Sequence, residues 1–342
     1  LEKVSRNKVD QLVAEKEEDQ VSPAPGVDTS DLSPMRGMIR VYALFEVMRP
    51  RQWTKNGAVF IGLVFAQQLF SLPSLERAIL AFVAFCFASS CIYILNDILD
   101  LERDRQHPVK CLRPLPSGRL PGSWAIALMG LLFGLCCALV FALFYIPSLA
   151  DVYASFGGAS TLFALTIAGY VLLNVGYSTR LKHVVLVDVF CIAAGFVLRI
   201  LAGAVVIPVV ISPWLYLVTC FLSLFLALSK RRHELVLLQE HAGNHRRILK
   251  EYSIPMLDQM ITIVVAGTLM AYSIYTIEGT TGHGRLIVTV PFVLYGIFRY
   301  LYLVYMRMEG GSPDEVLLRD RHMLGTVVLC TLVVIVVLYM LP

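Results

Sequence analysis

The sequence predicts an all-α, multi-pass integral membrane protein with nine transmembrane helices arranged as a helical bundle. Three observations carry that reading. Hydrophobic residues make up 57% of the 342 and charged residues only 16%, with a mean hydropathy of +0.70, which is too apolar for a soluble globule. Apolar runs of bilayer-spanning length recur along the whole chain. Lysine and arginine sort onto every second connection between those runs.

The runs lie at approximately 57–71, 78–99, 122–147, 159–176, 184–207, 212–229, 258–277, 286–306 and 324–341. The first is short for a membrane helix, so it is expected to extend back through Trp53 or forward past Leu72. One set of alternate connections holds nineteen Lys and Arg, among them Arg49, Lys110, Arg119, Lys182 and Arg231, whereas the opposite set holds only Arg77 and Arg285. The positive-inside rule then places the N-terminus in the cytoplasm and the C-terminus outside, an arrangement that requires an odd number of spans. A net charge of +4 gives no reason to expect a nucleic-acid partner.

Residues 1–36 differ in kind. Acids, Pro, Ser and Gly with few aromatics predict a flexible cytoplasmic tail without a secretory signal, followed by a membrane domain over 37–342. The stretch from Met38 to Met48 has the pattern of an interfacial amphipathic helix, with Trp53 expected at headgroup depth. Seven of the eight cysteines fall inside predicted spans and none forms a Cys-x-x-Cys pair, so they are expected to be small buried apolar residues.

The chemistry concentrates at 96–108, where the second span ends in Asn96-Asp97-Ile98-Leu99-Asp100-Leu101-Glu102-Arg103-Asp104-Arg105-Gln106-His107-Pro108. Asp97 and Asp100 are three apart and Asp100 and Asp104 four apart, so a continuing helix turns all three carboxylates roughly the same way, with the Asn96 amide beside them. Such a face suits Mg2+, which takes one or two carboxylates together with water and substrate phosphates. Lys110, Arg113 and Arg119 follow in a proline-rich, non-helical loop, placing phosphate-seeking cations next to metal-seeking acids. That combination points to a metal-diphosphate reaction.

Three further charged groups are unusual for a membrane. Arg199 lies well inside the fifth span and needs an anion, an acid or a wet surrounding; Asp188 is eleven residues away, about 16 Å along a helix, too far for direct pairing. Arg299 raises the same question in the eighth span. Lys230, Arg231 and Glu234 leave the membrane together after the sixth span, with Lys230 and Glu234 spaced as an i,i+4 pair.

The chain resembles the UbiA-type intramembrane prenyltransferases. Within them it is most similar to the branch that makes decaprenylphosphoryl-5-phosphoribose for cell-wall arabinan. The resemblance rests on Arg49-Pro50-Arg51-Gln52-Trp53-x-Lys55-Asn56, on Asn96-Asp97-x-x-Asp100-x-x-x-Asp104 through Arg113-Pro114-x-x-x-Gly118, and on Gly176-Tyr177-Ser178-x-x-Leu181-Lys182-His183-x-x-x-x-Asp188. It continues through Gly195-Phe196-x-Leu198-Arg199 and Lys230-Arg231-x-x-Glu234, covering roughly residues 40–340. Aromatic prenyltransferases of this type carry a second aspartate-rich motif; here Asp188 is followed at spacing four by Ile192.

The resemblance implies a fold, a reaction and a site. The enzyme would sit in the plasma membrane with its active site facing the cytoplasm, transferring 5-phosphoribosyl from 5-phosphoribosyl 1-diphosphate to decaprenyl or another polyprenyl phosphate. Asn96, Asp97, Asp100 and Asp104 would hold Mg2+, with Mn2+ a substitute. Asp97, Asp100, Lys110, Arg113 and Lys182 would act on the reacting groups. Lys55, His107, Lys110, Arg113, Arg119, Tyr177, Lys182, His183, Asp188, Lys230 and Arg231 would surround the donor phosphates, and Arg49, Gln52, Lys55 and Arg199 the lipid phosphate. Membrane lipid and a homo-oligomer are the other implied partners. Two readings stay open beside it: prenyl transfer to a quinone or haem precursor, and a non-enzymatic lipid-binding or transport protein.

Overall fold

The structure, a computed structural model, describes residues 33–106, 109–147, 153–209, 212–240, 249, 251–278, 284–308, 310–311, 316 and 319–340. The chain divides into two compact units, Leu1–Ala43 and Leu44–Pro342. Most of the expected tail, together with His107, His241, His245, His283, Arg246, Arg247 and Lys250, lies outside the described residues.

Every regular element among the described residues is helical. The α-helices are α1 (Ser33–Val47), α2 (Phe60–Phe65), α3 (Leu72–Leu99), α4 (Leu101–Arg105), α5 (Gly122–Ala142), α6 (Ala159–Thr179), α7 (Val187–Val206), α8 (Pro213–Glu240), α9 (Ile254–Glu278), α10 (Val290–Met306) and α11 (Arg321–Tyr339). Eight described segments are long and apolar enough to cross a membrane: α3, α5, α6, α7, α8, α9, Arg285–Met306 and α11.

The first expected crossing, 57–71, is not among them. Pro50–Val59 is wound as a 3-10 helix that carries Arg51, Gln52, Lys55 and Asn56, and it runs directly into α2. Arg49 marks one end. Near the other, Tyr339 at the close of α11 accepts a hydrogen bond from the Leu69 amide (3.1 Å) and donates to the Val64 carbonyl (3.2 Å). The close of α11 therefore packs against the end of α2 and the residues just beyond it.

Because lipid is as apolar as leucine, close packing rather than water exclusion holds such helices together, and small residues let backbones approach. Ala78, Ala81, Ala84 and Ala88 form a fully buried stripe on α3, which packs against α5, α6 and α7. At Gly203 a Cβ would stand 2.0 Å from the Val59 carbonyl oxygen, so only glycine admits the 3-10 segment against α7. Gly62 meets Ala204 just beyond it. A second core joins α7, α8, α9 and α10 through Val189, Phe225, Leu257 and Tyr300.

Arg77, read from sequence as a residue of an outer connection, is inside the bundle at 2% exposure. Its guanidinium donates to the carbonyls of Val206 (2.6 Å), Leu143 (3.0 Å) and Ile146 (2.6 Å) and to Ser160 Oγ (3.1 Å). It thus satisfies carbonyls at the C-terminal ends of α5 and α7, where helix dipoles favour a cation. Trp53 is likewise drawn inward: its indole donates to Ser90 Oγ at 3.0 Å and meets Phe45 edge-on. Of the eight cysteines, all free thiols, Cys86, Cys136 and Cys191 are buried as expected, Cys91, Cys111, Cys220 and Cys330 are half-buried, and Cys137 is exposed.

Candidate active site

The site begins where α3 ends. Asp100 is the cap residue between α3 and α4, and the Asp104 amide donates back to the Asp100 carbonyl at 2.8 Å, so the helical run continues through the acids with only a slight break. Asp97 and Asp104 are each 2% exposed, whereas Asp100 is more open. Asn96 is half-buried beside them.

Cations reach these carboxylates from separate parts of the chain. Arg113 Nη1 lies 2.8 Å from Asp104 Oδ2 and 3.3 Å from Asp97 Oδ1, so one guanidinium nitrogen bridges two acids. Arg49 pairs with Asp97 and lies over the Tyr93 ring, 4.9 Å from its centroid. Lys110 Nζ is 3.5 Å from Asp104, and Lys182 Nζ is 3.2 Å from both oxygens of Asp100.

Local structure sets each cation. Arg49 ends α1 in the left-handed region at φ 54°, where glycine or asparagine is usual. Its side chain is held by Asp97, and its amide donates to the Glu46 carbonyl at 3.0 Å. Arg113 follows a short 3-10 turn and precedes Pro114, whose neighbours Leu115 and Pro116 are buried with it. Lys182 sits at 8% exposure in the 3-10 turn Leu181–His183 between α6 and α7. Lys55 donates to Gln52 on the 3-10 segment.

A second cluster lies beside that turn and contains no second acidic motif. Asp188, in the first turn of α7, is fully buried and accepts from Arg231 Nε at 2.6 Å and from Tyr252 Oη at 2.7 Å. Arg231 also pairs with Glu234 and donates to Tyr177 Oη at 3.2 Å. Both Asp188 oxygens thus have protein donors. Glu234 pairs with Arg231 at i,i+3, and Lys230 is exposed. Leu186, just before α7, adopts φ 67°, a conformation that costs a branched residue about 1–3 kcal/mol.

Three predicted site residues have other occupations. Arg199 donates to Asn56 Oδ1 (2.8 Å), the Gly195 carbonyl (3.0 Å) and Tyr170 Oη (2.8 Å), and stacks over the Tyr170 and Phe196 rings. Its partner is therefore an internal amide and phenol rather than Asp188, and all three guanidinium nitrogens are engaged. Arg119 grips Glu46 through two bonds, 2.9 and 3.1 Å, and caps the Leu112 carbonyl. Asp188 is neutralised by Arg231. In this structure Arg199, Arg119 and Asp188 each make their contacts with protein groups. His183 is exposed on its turn. Arg299 pairs with Asp320, which caps α11 through the Met323 amide.

Among the described residues, no three His, Cys, Asp or Glu side chains converge as a ready-made metal cage. The donor set nevertheless fits a hard divalent cation that shares its coordination with a substrate. Asp97 and Asp104 converge on one cationic nitrogen, and Asp100 follows on the same helical run.

Residues 57–313 match the UbiA prenyltransferase family. The chain belongs to that family. Among its UbiA relatives, the decaprenyl-phosphate phosphoribosyltransferase of Corynebacterium glutamicum is 30% identical over 306 residues, covering 87% of this chain and 87% of that protein. The enzymes of the same name from Mycolicibacterium smegmatis and Mycobacterium tuberculosis are 30% and 29% identical, each match covering 82% of this chain and 87% and 89% of theirs. The UbiA fold is shared with solved structures. A UbiA homolog from Archaeoglobus fulgidus bound to GPP and Mg2+ superposes with a TM-score of 0.62 at 17% identity, covering 85% of this chain and 96% of that one. A digeranylgeranylglyceryl phosphate synthase gives 0.60 at 19% identity, covering 88% and 99%.

Proposed function

We propose that this UbiA-family protein is a membrane-embedded phosphoribosyltransferase. It joins the 5-phosphoribosyl group of 5-phosphoribosyl 1-diphosphate to decaprenyl or another polyprenyl phosphate and releases pyrophosphate. The carrying observation is the matching of three carboxylates by four cations, Arg49, Lys110, Arg113 and Lys182, drawn from three separate segments. The full-length similarity to enzymes named for this reaction supports it. An excess of positive charge around buried acids suits two phosphorylated substrates better than a neutral aromatic acceptor. The pairing of Asp188 with Arg231 weighs the same way, because it leaves no second acidic set for a prenyl diphosphate.

In this reading Asp97, Asp100 and Asp104, with the Asn96 amide, hold Mg2+, for which Mn2+ substitutes. A divalent ion bound there supplies charge neutralisation for the departing diphosphate. Arg113 and Lys110 exchange carboxylate oxygens for donor phosphate oxygens, and Lys182 does the same from the opposite side, so the residues that neutralise the acids become those that hold the leaving group. Lys55, Tyr177, His183 and Lys230 border the donor, while Arg49, Gln52 and Lys55 orient the lipid phosphate. The lipid phosphate oxygen attacks the anomeric carbon as its bond to pyrophosphate breaks. The acceptor is already anionic, so the protein provides orientation rather than a base. The site faces the cytoplasm, where the water-soluble donor is available.

Purified protein in nanodiscs, supplied with Mg2+, phosphoribosyl diphosphate and decaprenyl phosphate, is expected to form a lipid heavier by one phosphoribosyl group. The product should disappear when either substrate is omitted or the metal is chelated. Absence of that lipid, together with prenylation of an aromatic acceptor from a prenyl diphosphate, would reassign the enzyme within its family.

A further inference from the structure

The connection between α6 and α7 carries Lys182, and no charged group on the connection itself explains how Lys182 is aimed. The restraint comes from outside it. Tyr252, in the connection before α9, is 5% exposed and places its hydroxyl between two atoms of the same short segment. It accepts from the Leu186 amide at 2.8 Å and donates to Asp188 Oδ1 at 2.7 Å. Leu186 is the residue at φ 67°. Phenylalanine would fill the same volume but supply neither bond.

We propose that Tyr252 is a positioning residue, whose hydroxyl holds Leu186 in its left-handed conformation and thereby fixes the turn that presents Lys182 to Asp100. The geometry closes on itself. Arg231 grips Tyr177 before the turn and Asp188 after it, so both ends of the connection are anchored to α8. Within it, the Asp188 amide donates to the Val184 carbonyl at 3.2 Å, the Val184 amide to the Leu181 carbonyl and the His183 amide to the Arg180 carbonyl, a chain of bonds that links the segment held by Tyr252 back to Lys182. Burial, reinforced by the bond to Asp188, pushes the Tyr252 phenol above its ordinary range, so the hydroxyl keeps its proton and remains a donor at physiological pH. Tyr252 is thereby coupled to the carboxylate site through Leu186 and Asp188.

The catalytic consequence rests on the function proposed above; the positional one does not, and the test separates them. In full-length Tyr252→Phe, Lys182 is expected to react several-fold faster with an amine-acetylating reagent, read by peptide mass. The kcat/KM for the phosphoribosyl donor should fall roughly 10- to 100-fold. In a Lys182→Met background, Tyr252→Phe should cause no further loss, because both changes act on one contact. Adding Leu186→Gly, which takes a positive φ without strain, should return Lys182 labelling toward the wild-type rate. That double variant also serves if Tyr252→Phe alone folds poorly. Unchanged Lys182 labelling, or losses that add in the Lys182→Met background, would overturn the proposal. If the wild type makes no phosphoribosyl lipid while labelling changes as stated, the functional reading fails and the positioning role stands.

Discussion

Lys182 Nζ lies 3.2 Å from both oxygens of Asp100, although 82 residues separate them in the chain. One belongs to the turn between α6 and α7 and the other to the end of α3, so the contact joins two separate connections into one site. Replacing Lys182 by methionine keeps the stem and removes the charge. The expected result is a loss of about 10²- to 10³-fold in kcat, the scale of one preorganised charge-stabilising donor, with folded yield preserved because Asp100 stays partly open to water. Steady-state rates against donor concentration check this.

The approach of Val59 to Gly203 predicts a strict glycine requirement. In Gly203→Ala the new methyl would stand 2.0 Å from a backbone oxygen, which no side-chain rotation relieves. The 3-10 segment must move away from α7, at a cost of about 1–3 kcal/mol. Thermal unfolding in detergent should show a lowered midpoint, whereas Gly130→Ala, at a glycine with open space around it, should not.

Arg77 supports a contrasting expectation. Arg77→Met strips donors from the Leu143, Ile146 and Val206 carbonyls at the bundle end opposite Arg49. Each carbonyl left unpaired costs about 1–3 kcal/mol, so folded yield should fall sharply. The protein that does fold should retain its KM for both substrates, since none of the site cations touches that end. Size-exclusion recovery and kinetics on the recovered fraction separate the two effects.

Asp320 gives a pH-dependent test. Its bond to Arg299, reinforced by the Met323 amide, holds its carboxyl below the ordinary value of 3.8. A lowered folded-state pKa means that the contribution to stability is present above 3.8 and is lost as pH falls below it. The difference in thermal midpoint between wild type and Asp320→Asn should therefore be constant from pH 5 to 7 and shrink below about pH 4. A difference that grows on acidification would contradict the assignment.

The sequence carried much of this site because its strongest signals are local. The spacing of Asp97, Asp100 and Asp104 needs only a helix to be read, and the alternation of basic connections needs only the bilayer. Pairings across long separations were not legible: Arg119 with Glu46, Arg231 with Asp188, and Arg199 with Asn56 and Tyr170 depend on how the helices pack. Those pairings give Arg119, Arg231 and Arg199 protein partners that spacing in the chain does not reveal. Arg77 was misread for a related reason. A basic residue near a span end looks like an interfacial charge until neighbouring helices bring their C-terminal carbonyls to it. The expected first span, 57–71, is broken in the structure, 3-10 up to Val59 and α-helical only over Phe60–Phe65, a change of winding that hydropathy does not report.

The most direct test of the central claim compares wild type with Asp97→Asn, both in nanodiscs and both verified as folded. Phosphoribosyl-labelled lipid and released pyrophosphate are measured together across a Mg2+ titration. The account predicts equal amounts of lipid product and pyrophosphate from wild type, rising with metal, and a loss of at least about 100-fold in Asp97→Asn at every metal concentration. Metal-dependent turnover that survives unchanged in Asp97→Asn would contradict it.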